Sequence, residues 1–430
     1  MSVRLGIVGG GFSGVAAAIH LLRQTDAELV LFERRSTVGH GIAYGTTAIE
    51  HRLNVPAARM SVDPESPNDF VDFLRETYAH DDPSAMVPRA WYGAYLQHRF
   101  LSAQTQFPSR LQYRPVEVTE ITRRGELWKI DTADGMECVD GVLVATGHGP
   151  VNVPTALRQV QASIHRDPWT FAAPSDASVL IVGTGLTAVD MLLSLRARGH
   201  RGRLVVTSRH GRFPRPHSLP RGPAPCVWRD PTSLVDAIGQ VRQQLREANA
   251  QNLPWAAVID SLRPHTARWW ATLSVDDRRS FLAHVRPLWE IHRHRAPPDS
   301  LAILEAWQQQ GGWSLIAGPM THAASVADEI QVTWSHHRDR FQHVLLCTGN
   351  SGNPLHQPIL AALVENGTLR MDPLELGVQA DPHGLAHPDG LWVIGGLRRG
   401  DLWESTAVPE LSRQAAALPA AVAAWKAQRP

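Results

Sequence analysis

Two glycine-rich turns in this chain have the residue types and spacing needed to hold a dinucleotide. The first, Gly9-x-Gly11-x-x-Gly14, follows a short apolar run and opens an Ala- and Leu-rich helical stretch, and a second apolar run ends on Glu33. Gly9 would allow a tight turn, Gly11 the close approach of a pyrophosphate, and Gly14 close packing of the helix on its strand. The phosphates would rest on the positive N-terminal end of the helix.

The acidic residue after the second apolar run indicates which nucleotide the first turn prefers. Glu33 stands 19 residues after Gly14, at the predicted tip of a strand. A carboxylate there accepts hydrogen bonds from ribose hydroxyls and repels a 2′-phosphate, so we predict FAD or NAD(H) and not NADP. The alternative is a glycine-rich loop that binds no phosphate, which the two strands, the helix and the acid disfavour.

The same pattern returns in the middle of the chain with a different charge at the strand tip. Residues 183–188 read Gly-Thr-Gly-Leu-Thr-Ala between two apolar runs, and the second run ends on Ser208 and Arg209, with Arg212 close behind. A guanidinium and a hydroxyl suit a 2′-phosphate, so the second nucleotide is predicted to be NADP(H). For Arg209 alone, a solvated surface arginine is the alternative.

Other predicted cofactor contacts lie in glycine-rich stretches or at the ends of apolar strands. Beyond the residues above, the candidates on the flavin side are Ser13, Arg34, Gly41, Tyr44, Asn54, Val55, Met60, Val116, Thr146, Gly147, Gly395 and Gly396. Those of the second turn are Gly183, Gly185, Leu186 and Thr187, and Thr348 with Gly349 form the counterpart of the earlier Thr-Gly pair. A glycine-rich surface loop is the alternative for the stretch around Gly41.

These units predict an α/β fold with two Rossmann-like dinucleotide-binding domains, the NADP domain being inserted in the FAD domain and carrying a helical insertion. A chain of 430 residues, 43% hydrophobic, can bury two such cores. The predicted ranges are 1–150 for the first part of the FAD domain, 151–340 for the NADP domain, about 233–313 for the helices, and 341–430 for the return. One Thr-Gly strand would leave the first domain and the strand within 341–350 would return to it.

Two further segments have distinctive patterns. The alternation from Leu111 to Val139 predicts a small antiparallel meander. Residues 214–230 contain prolines at 214, 216, 220, 223 and 225 and predict an extended loop.

Composition argues against several functions. The net charge of +1 gives no electrostatic case for nucleic acid or a membrane surface as a partner. Cys138, Cys226 and Cys347 are far apart, so we expect neither a disulfide framework nor a redox-active dithiol. His292 and His294 are two residues apart and make a poor metal pair on a helix, so no metal is predicted. We expect a cytoplasmic protein of unknown oligomeric state.

Taken together, the motifs resemble those of FAD/NAD(P)-binding flavoproteins with two dinucleotide-binding domains, which are related to the class B flavin monooxygenases of Baeyer-Villiger and N-hydroxylating type. The resemblance rests on both glycine turns, both Thr-Gly strands, and the segments HGIAYGT at 40–46, LNVPAARMS at 53–61, GTGLTAVD at 183–190 and WEIHRHR at 289–295. The last segment contains Arg293, which would either cover the NADP phosphates and the active cleft or form part of a solvated face.

The class B enzymes also carry a fingerprint F-x-G-x-x-x-H-x-x-x-W between their nucleotide units. His165 and Trp169 match its last two positions, whereas Gln159 and Gln161 stand at the first two. The resemblance implies that His165 and Trp169 couple the nicotinamide position to oxygen chemistry from a linker. A plain interdomain linker is the alternative.

Two nucleotide sites of opposite preference imply hydride transfer from NADPH to FAD. Because no dithiol, haem or iron-sulfur motif is visible, we expect O2 to accept the electrons, giving a C4a-peroxyflavin that inserts one oxygen atom into a small organic substrate. The rival hypotheses are an NADPH-dependent flavin reductase or dehydrogenase with an organic acceptor, and a non-enzymatic flavin-bound interaction protein. A flavin-bound protein without enzymatic activity should have lost one of the two glycine-turn motifs, and this chain keeps both.

Overall fold

The computed structural model describes residues 2–160, 164–218 and 228–429. Gln161, Cys226 and part of the predicted proline-rich loop lie outside these ranges. Helices and strands are numbered along the chain.

A six-stranded sheet forms the first nucleotide unit. Its strands are β1 Arg4–Val8, β2 Glu28–Phe32, β3 Leu111–Arg114, β7 Gly141–Val144, β16 Leu385–His387 and β17 Leu391–Val393, in the spatial order β16-β17-β7-β1-β2-β3. All neighbouring pairs are parallel except β16 with β17. The central strands are apolar on both faces because both faces are covered.

A five-stranded parallel sheet forms the second unit. Its strands are β8 Ile164–His165, β9 Val179–Val182, β10 Leu204–Ser208, β11 Ser314–Ala317 and β15 His343–Leu346, in the order β11-β10-β9-β15-β8. The predicted return of the chain at 341–350 is wrong in this respect, because β15 pairs with β9 and β8 and not with the first sheet. Thr348 and Gly349 therefore belong to the second nucleotide unit, which extends beyond the predicted boundary at residue 340.

Each large sheet has a three-stranded antiparallel meander on one face. The meander of the first sheet consists of β4 Val118–Arg124, β5 Leu127–Thr132 and β6 Gly135–Val139, and that of the second consists of β12 Met320–Val326, β13 Glu329–Trp334 and β14 Arg338–Phe341. The predicted meander began too early, because β3 joins the first sheet in parallel with β2. The two units thus have the same arrangement, a large sheet with an antiparallel meander on one face.

Helices cover the opposite faces and form a separate aromatic core. They are α1 Phe12–Gln24, α2 Asp69–Tyr78, α3 Arg89–Gln106, α4 Leu186–Ala197, α5 Leu234–Ala250, α6 Trp255–Thr272, α7 Val275–Ser280, α8 Arg286–Arg293, α9 Pro298–Gln309, α10 Pro358–Glu365 and α11 Val408–Ala427, with a π turn Phe281–Val285 before α8. The first core contains residues of α1, α2, α3 and α11, and the second contains residues of α4 and α9. Residues from 234 to 289 pack around Trp269 and Trp270 together with Trp403.

Two chain segments run side by side where the helical region joins the second sheet. Arg215 N donates to Ile291 O at 2.9 Å, Ala296 N donates to Arg215 O at 3.0 Å, and His217 N donates to Ala296 O at 2.8 Å. The outgoing and returning segments therefore form a short two-stranded ribbon. None of the helices in the described ranges combines the length and the apolar character needed to cross a membrane.

Candidate functional site

In the first glycine turn, backbone conformation or close packing requires glycine at two positions, whereas the third position could hold a larger residue. Gly9 has a φ of +110°, and a Cβ on Gly14 would stand 1.9 Å from Gly9 O. Gly11 has an ordinary φ of −74°, and a Cβ there would meet only Gly41 Cα, at 3.6 Å. Because neither conformation nor packing demands glycine at position 11, its missing side chain leaves a cradle for a group outside the chain.

The second turn repeats this geometry. Gly183 has a φ of +119°, and its added Cβ would lie 2.2 Å from Cys347 O, as that of Gly9 would lie 2.4 Å from Ala145 O. Gly185 has a φ of −77° and no atom within 4 Å of an added Cβ. Both turns therefore leave open space at the equivalent glycine, where the motif places a pyrophosphate.

Both cradles open onto the N-terminus of a helix. α1 begins directly after Gly11 and α4 directly after Gly185, and neither helix has a side-chain cap or an acidic residue in its first turn. The first N–H groups, including those near Leu186 and Thr187, therefore remain available to an anion. Gly147 and Gly349, at the ends of β7 and β15, share a φ of +72° with nothing near an added Cβ.

Glu33 lies at the tip of β2 beside the first cradle. Its two carboxylate oxygens accept hydrogen bonds from Gly10 N at 2.8 Å and Arg35 N at 3.0 Å. Each oxygen keeps a free lone pair for a ribose hydroxyl. Arg34 points into solvent and lies 3.8 Å from Glu117.

The tip of β10, at the second cradle, carries cations instead. Arg209 and Arg212 are exposed, and neither forms an ion pair within the described ranges. The Ser208 hydroxyl lies 3.0 Å from that of Thr184 and accepts from Gly211 N at 3.0 Å, while Thr184 donates to Arg212 O at 2.7 Å. Ser208 therefore fixes the turn that presents the two guanidinium groups.

The glycines that follow β17 lie close to the first turn of α1, next to the first cradle. An added Cβ on Gly395 would lie 3.1 Å both from Ser13 Oγ and from Leu411 Cδ2, so the first turn of α11 approaches the first turn of α1 here. A Cβ on Gly396 would lie 2.5 Å from the His148 ring. Burial, together with Arg399, lowers the pKa of His148 to about 4, so the imidazole is neutral. Sequence analysis missed His148, although it directly follows the predicted Thr146-Gly147 pair.

Several buried polar groups near this junction have no hydrogen-bond partner in the described ranges. They are Thr146 Oγ1 after β7, and Trp403 Nε1 and Ser405 Oγ before α11. Buried polar groups are normally paired, so such orphans indicate a polar ligand. The cradle, the acid and these orphans fit FAD.

The remaining flavin-side candidates lie in the glycine-rich segment and its neighbours. Gly41 has a φ of +50° and an added Cβ would lie 3.4 Å from Gly11 Cα. Tyr44 packs edge-on against Tyr92 at 4.6 Å, and burial raises its pKa to about 12. Asn54, Val55 and Val116 are half-buried, whereas Met60 is buried in the first core.

Each of the three candidate catalytic residues has a different partner. His165 is in β8, at the edge of the second sheet, where its Nε2 lies 3.1 Å from His343 Nδ1. Trp169 packs against His51, with ring centres 5.3 Å apart. Arg293 is buried against Glu404, with Nε 2.9 Å from Oε2. Their proposed roles remain predictions.

A buried polar cluster that sequence analysis missed joins the two units. His51 accepts from the Thr46 hydroxyl at 2.7 Å, and its Nε2 lies 3.0 Å from Asp190 O and 2.8 Å from Ser194 Oγ on α4. Because a carbonyl only accepts, Nε2 carries the proton and the ring is neutral. Arg89 Nη2 lies 3.0 Å from Asp190 Oδ2 in a buried ion pair.

We expect His51→Gln to change the pH dependence of stability. Burial and then Arg89 lower the pKa of His51 from 6.5 to about 4, so the folded state binds fewer protons than the unfolded state between these values. The His51 contribution to stability is therefore fully present above pH 6.5 and is lost as pH falls to 4, by about 3 kcal/mol.

Unfolding free energies of wild type and variant, measured by urea denaturation between pH 4 and 6.5, should converge or cross at the acid end. His336→Gln, at an exposed histidine, is the matched control and should track the wild type. Parallel curves for wild type and His51→Gln would show that His51 titrates normally in the fold.

Comparison with known proteins shows which fold the chain has and which family model matches its first part. Residues 6–149 match the family model described as FAD-NAD(P)-binding. The ornithine N-hydroxylase of Kutzneria sp. 744 superposes with a TM-score of 0.69 at 15% identity, covering 99% of this chain and 100% of that one. The ornithine hydroxylase of Pseudomonas aeruginosa superposes with a TM-score of 0.67 at 16% identity, with the same coverage.

A curated relative matches more narrowly. The salicylate hydroxylase of Pseudomonas putida is 26% identical over 168 residues, which is 37% of this chain and 38% of that protein, so the match spans well under half of the relative's length. The chain has the fold of the two ornithine hydroxylases, and residues 6–149 match the FAD-NAD(P)-binding family model. The predicted fold class and family resemblance are confirmed.

Proposed function

We propose that this chain is an FAD-dependent monooxygenase that uses NADPH and inserts one atom of O2 into a small organic substrate. The reaction balances when NADPH, a proton, O2 and substrate give NADP+, water and the oxygenated substrate. Bound FAD would accept hydride from NADPH and pass the electrons to oxygen.

The observation that carries this proposal is the pair of matching cradles with opposite charges at their strand tips. Gly11 and Gly185 leave equivalent open spaces in front of two uncapped helices. The carboxylate of Glu33 suits an unphosphorylated ribose, while Arg209 and Arg212, which have no ion-pair partner in the described part of the chain, suit a 2′-phosphate. A chain built to hold two different dinucleotides has hydride transfer between them as its simplest use.

The residues between the cradles would orient the cofactors and exclude water. Ion pairs join Arg293 to Glu404 at 2.9 Å and Arg399 to Glu290 at 3.2 Å, which fixes the segment that follows Gly396 against α8. Trp403 stacks on Trp270 with ring centres 4.9 Å apart. This aromatic wall supports a site kept poor in water, as an oxygenation requires.

The comparisons support the same reaction. The Kutzneria protein is an ornithine N-hydroxylase described with reduced FAD, NADP+ and L-ornithine, and the Pseudomonas putida relative is a hydroxylase. Thiol-disulfide reduction is disfavoured by the two described cysteines. Cys138 and Cys347 lie in different sheets, and burial raises the pKa of the Cys347 thiol well above its usual range.

Anaerobic titration tests the proposal. NADPH should bleach the visible flavin absorbance of the purified protein, and added O2 should restore it. In air, NADPH consumed, hydrogen peroxide released and isotope-labelled oxygen incorporated into product would be measured together. Rapid electron transfer to an added quinone with no incorporation of labelled oxygen would identify a flavin reductase instead. A protein whose flavin NADPH does not bleach would be a non-enzymatic binder.

We expect Arg209→Ala to lower kcat/KM for NADPH by roughly tenfold to a hundredfold and to leave that for NADH nearly unchanged, because only NADPH has the 2′-phosphate that the guanidinium would bind. Arg212→Ala should act in the same direction. Steady-state kinetics with both nucleotides provides the measurement.

Arg201→Ala is the matched control, since this exposed arginine precedes β10 at the end opposite to Arg209. Equal losses for NADPH and NADH in Arg209→Ala would mean that Arg209 supports the fold and does not select the nucleotide.

A further inference from the structure

A cavity of about 150 Å³ lies within the helical region, between α5, α6, the π turn and α8. Five aromatic side chains contribute to its lining, namely Trp228, Trp269, Phe281, Trp289 and Trp403. Among the described lining residues, only Thr266 and Arg242 are polar, and none is acidic. The cavity is partly open to solvent, and an apolar space of about this volume accommodates a benzene-sized ligand.

Three of the four indoles in this lining carry a buried N–H without an acceptor in the described ranges. They belong to Trp228, Trp269 and Trp403. The fourth, Trp289, donates to Glu404 Oε1 at 2.9 Å. None of these N–H groups contributes polar surface to the cavity, so the lining that an occupant would contact is apolar.

The charged groups near the cavity also disfavour a cationic occupant. Arg242 is exposed at the edge of the lining and forms no ion pair within the described ranges. Glu404, which directly follows the lining residue Trp403, is already bonded to Trp289 and Arg293. An ammonium group in this cavity would therefore lose its water and gain no carboxylate, which costs several kcal/mol.

The cavity adjoins the candidate flavin site through Trp403. The Arg399 guanidinium lies 5.0 Å from the centre of the Trp403 ring and also pairs with Glu290. The same Arg399 acts on His148, whose ring covers Gly396. Trp403, Arg399 and His148 thus connect the cavity in succession to the turn proposed to contact FAD.

From these observations we infer that the cavity binds the substrate of the proposed oxygenation, and that this substrate is a compact apolar ring compound without an ammonium group. The inference rests on the proposed function and specifies its substrate class. It separates this chain from a hydroxylase of ornithine, whose substrate is an amine.

Two fluorinated probes of nearly identical shape test the substrate class. 4-Fluorobenzyl alcohol and 4-fluorobenzylamine differ only in the hydroxyl and the ammonium group. Fluorine NMR titration of the FAD-loaded protein should show saturable binding of the alcohol, and binding of the amine that is weaker by about tenfold or more.

Variants place the binding in the cavity. Val241→Phe, at a half-buried lining position of α5, should weaken alcohol binding by about tenfold or more because the larger side chain fills the space. Val235→Phe is the matched control, since Val235 is 79% exposed on the same helix. Ile238→Phe fills the cavity from a second position and serves if Val241→Phe does not fold.

The outcomes separate this inference from the proposed function. Equal binding of both probes, or unchanged binding in the folded cavity variants, would overturn the inference. NADPH-dependent bleaching of the flavin in a protein that binds neither probe would also overturn it, while leaving the proposed function intact. Binding of the alcohol that depends on Val241 in a protein that does not react with NADPH would support the cavity as a ring-binding site and reject the monooxygenase.

Discussion

Gly11→Val should yield a folded protein that purifies without FAD. A Cβ at this position has ordinary contact only with Gly41 Cα, at 3.6 Å, and the backbone conformation suits any residue. The branched side chain would instead occupy the space that a pyrophosphate needs. Flavin released by denaturation, circular dichroism and the melting temperature together provide the measurement. A yellow, stoichiometrically loaded Gly11→Val protein would refute the site.

Two other glycines serve as controls for this loss. Gly14→Ala should impair folding itself, because the added Cβ would stand 1.9 Å from Gly9 O. Gly185→Val lies in the second cradle, where an added Cβ has no neighbour within 4 Å. It should keep FAD and lose its response to NADPH. Loss of FAD in Gly185→Val would show that the two cradles do not bind separate nucleotides.

Asp190→Ala is expected to destabilise the protein by about 3 to 5 kcal/mol, because it leaves the buried Arg89 guanidinium without its counter-charge. The two side chains are 5% and 12% exposed, so solvent screens the pair little. Burial raises the pKa of Asp190 to about 6 even though Arg89 opposes that shift, which shows how poorly solvated the site is. Urea denaturation at pH 7.5, above this pKa, measures the loss.

The control for this prediction is Asp72→Ala, which removes an exposed helical pair with Arg75 and should cost less than about 1 kcal/mol. The double variant Arg89→Met, Asp190→Leu should recover much of the stability because it removes both buried charges at once. An Asp190→Ala protein as stable as Asp72→Ala would show that Arg89 is well solvated.

Local pattern predicted both strand-turn-helix units and the start of α11 at Val408, because glycine spacing and apolar runs are short-range signals. The sequence did not predict as well which strands pair with each other. β3 and β15 are four residues long, and so short a strand carries no information about which sheet it joins. The sheet that β3 or β15 joins depends on which sheet edge remains unpaired once the other strands have paired.

The same limit applies to the site. His51 contacts Asp190 and Ser194, 139 and 143 residues later in the chain, and His148 covers a glycine near the C-terminus. No local periodicity encodes such pairs. Ser405 carries no sequence signal at all, since an isolated serine is indistinguishable from a surface serine until its burial is known.

The short ribbon formed by Arg215–His217 and Ala296 has a mechanical consequence. Arg263 and Glu410, which form two hydrogen bonds of 2.5 and 2.6 Å, fasten α6 to the first turn of α11. The helical region is therefore anchored to the first sheet, although it lies between strands of the second along the chain. Any rotation of the second sheet must bend the ribbon and break the contacts of His51 with Asp190 and Ser194, and it would leave the position of the aromatic cavity relative to the first cradle unchanged. Substrate and one nucleotide would then stay on a common rigid base while the other nucleotide travels.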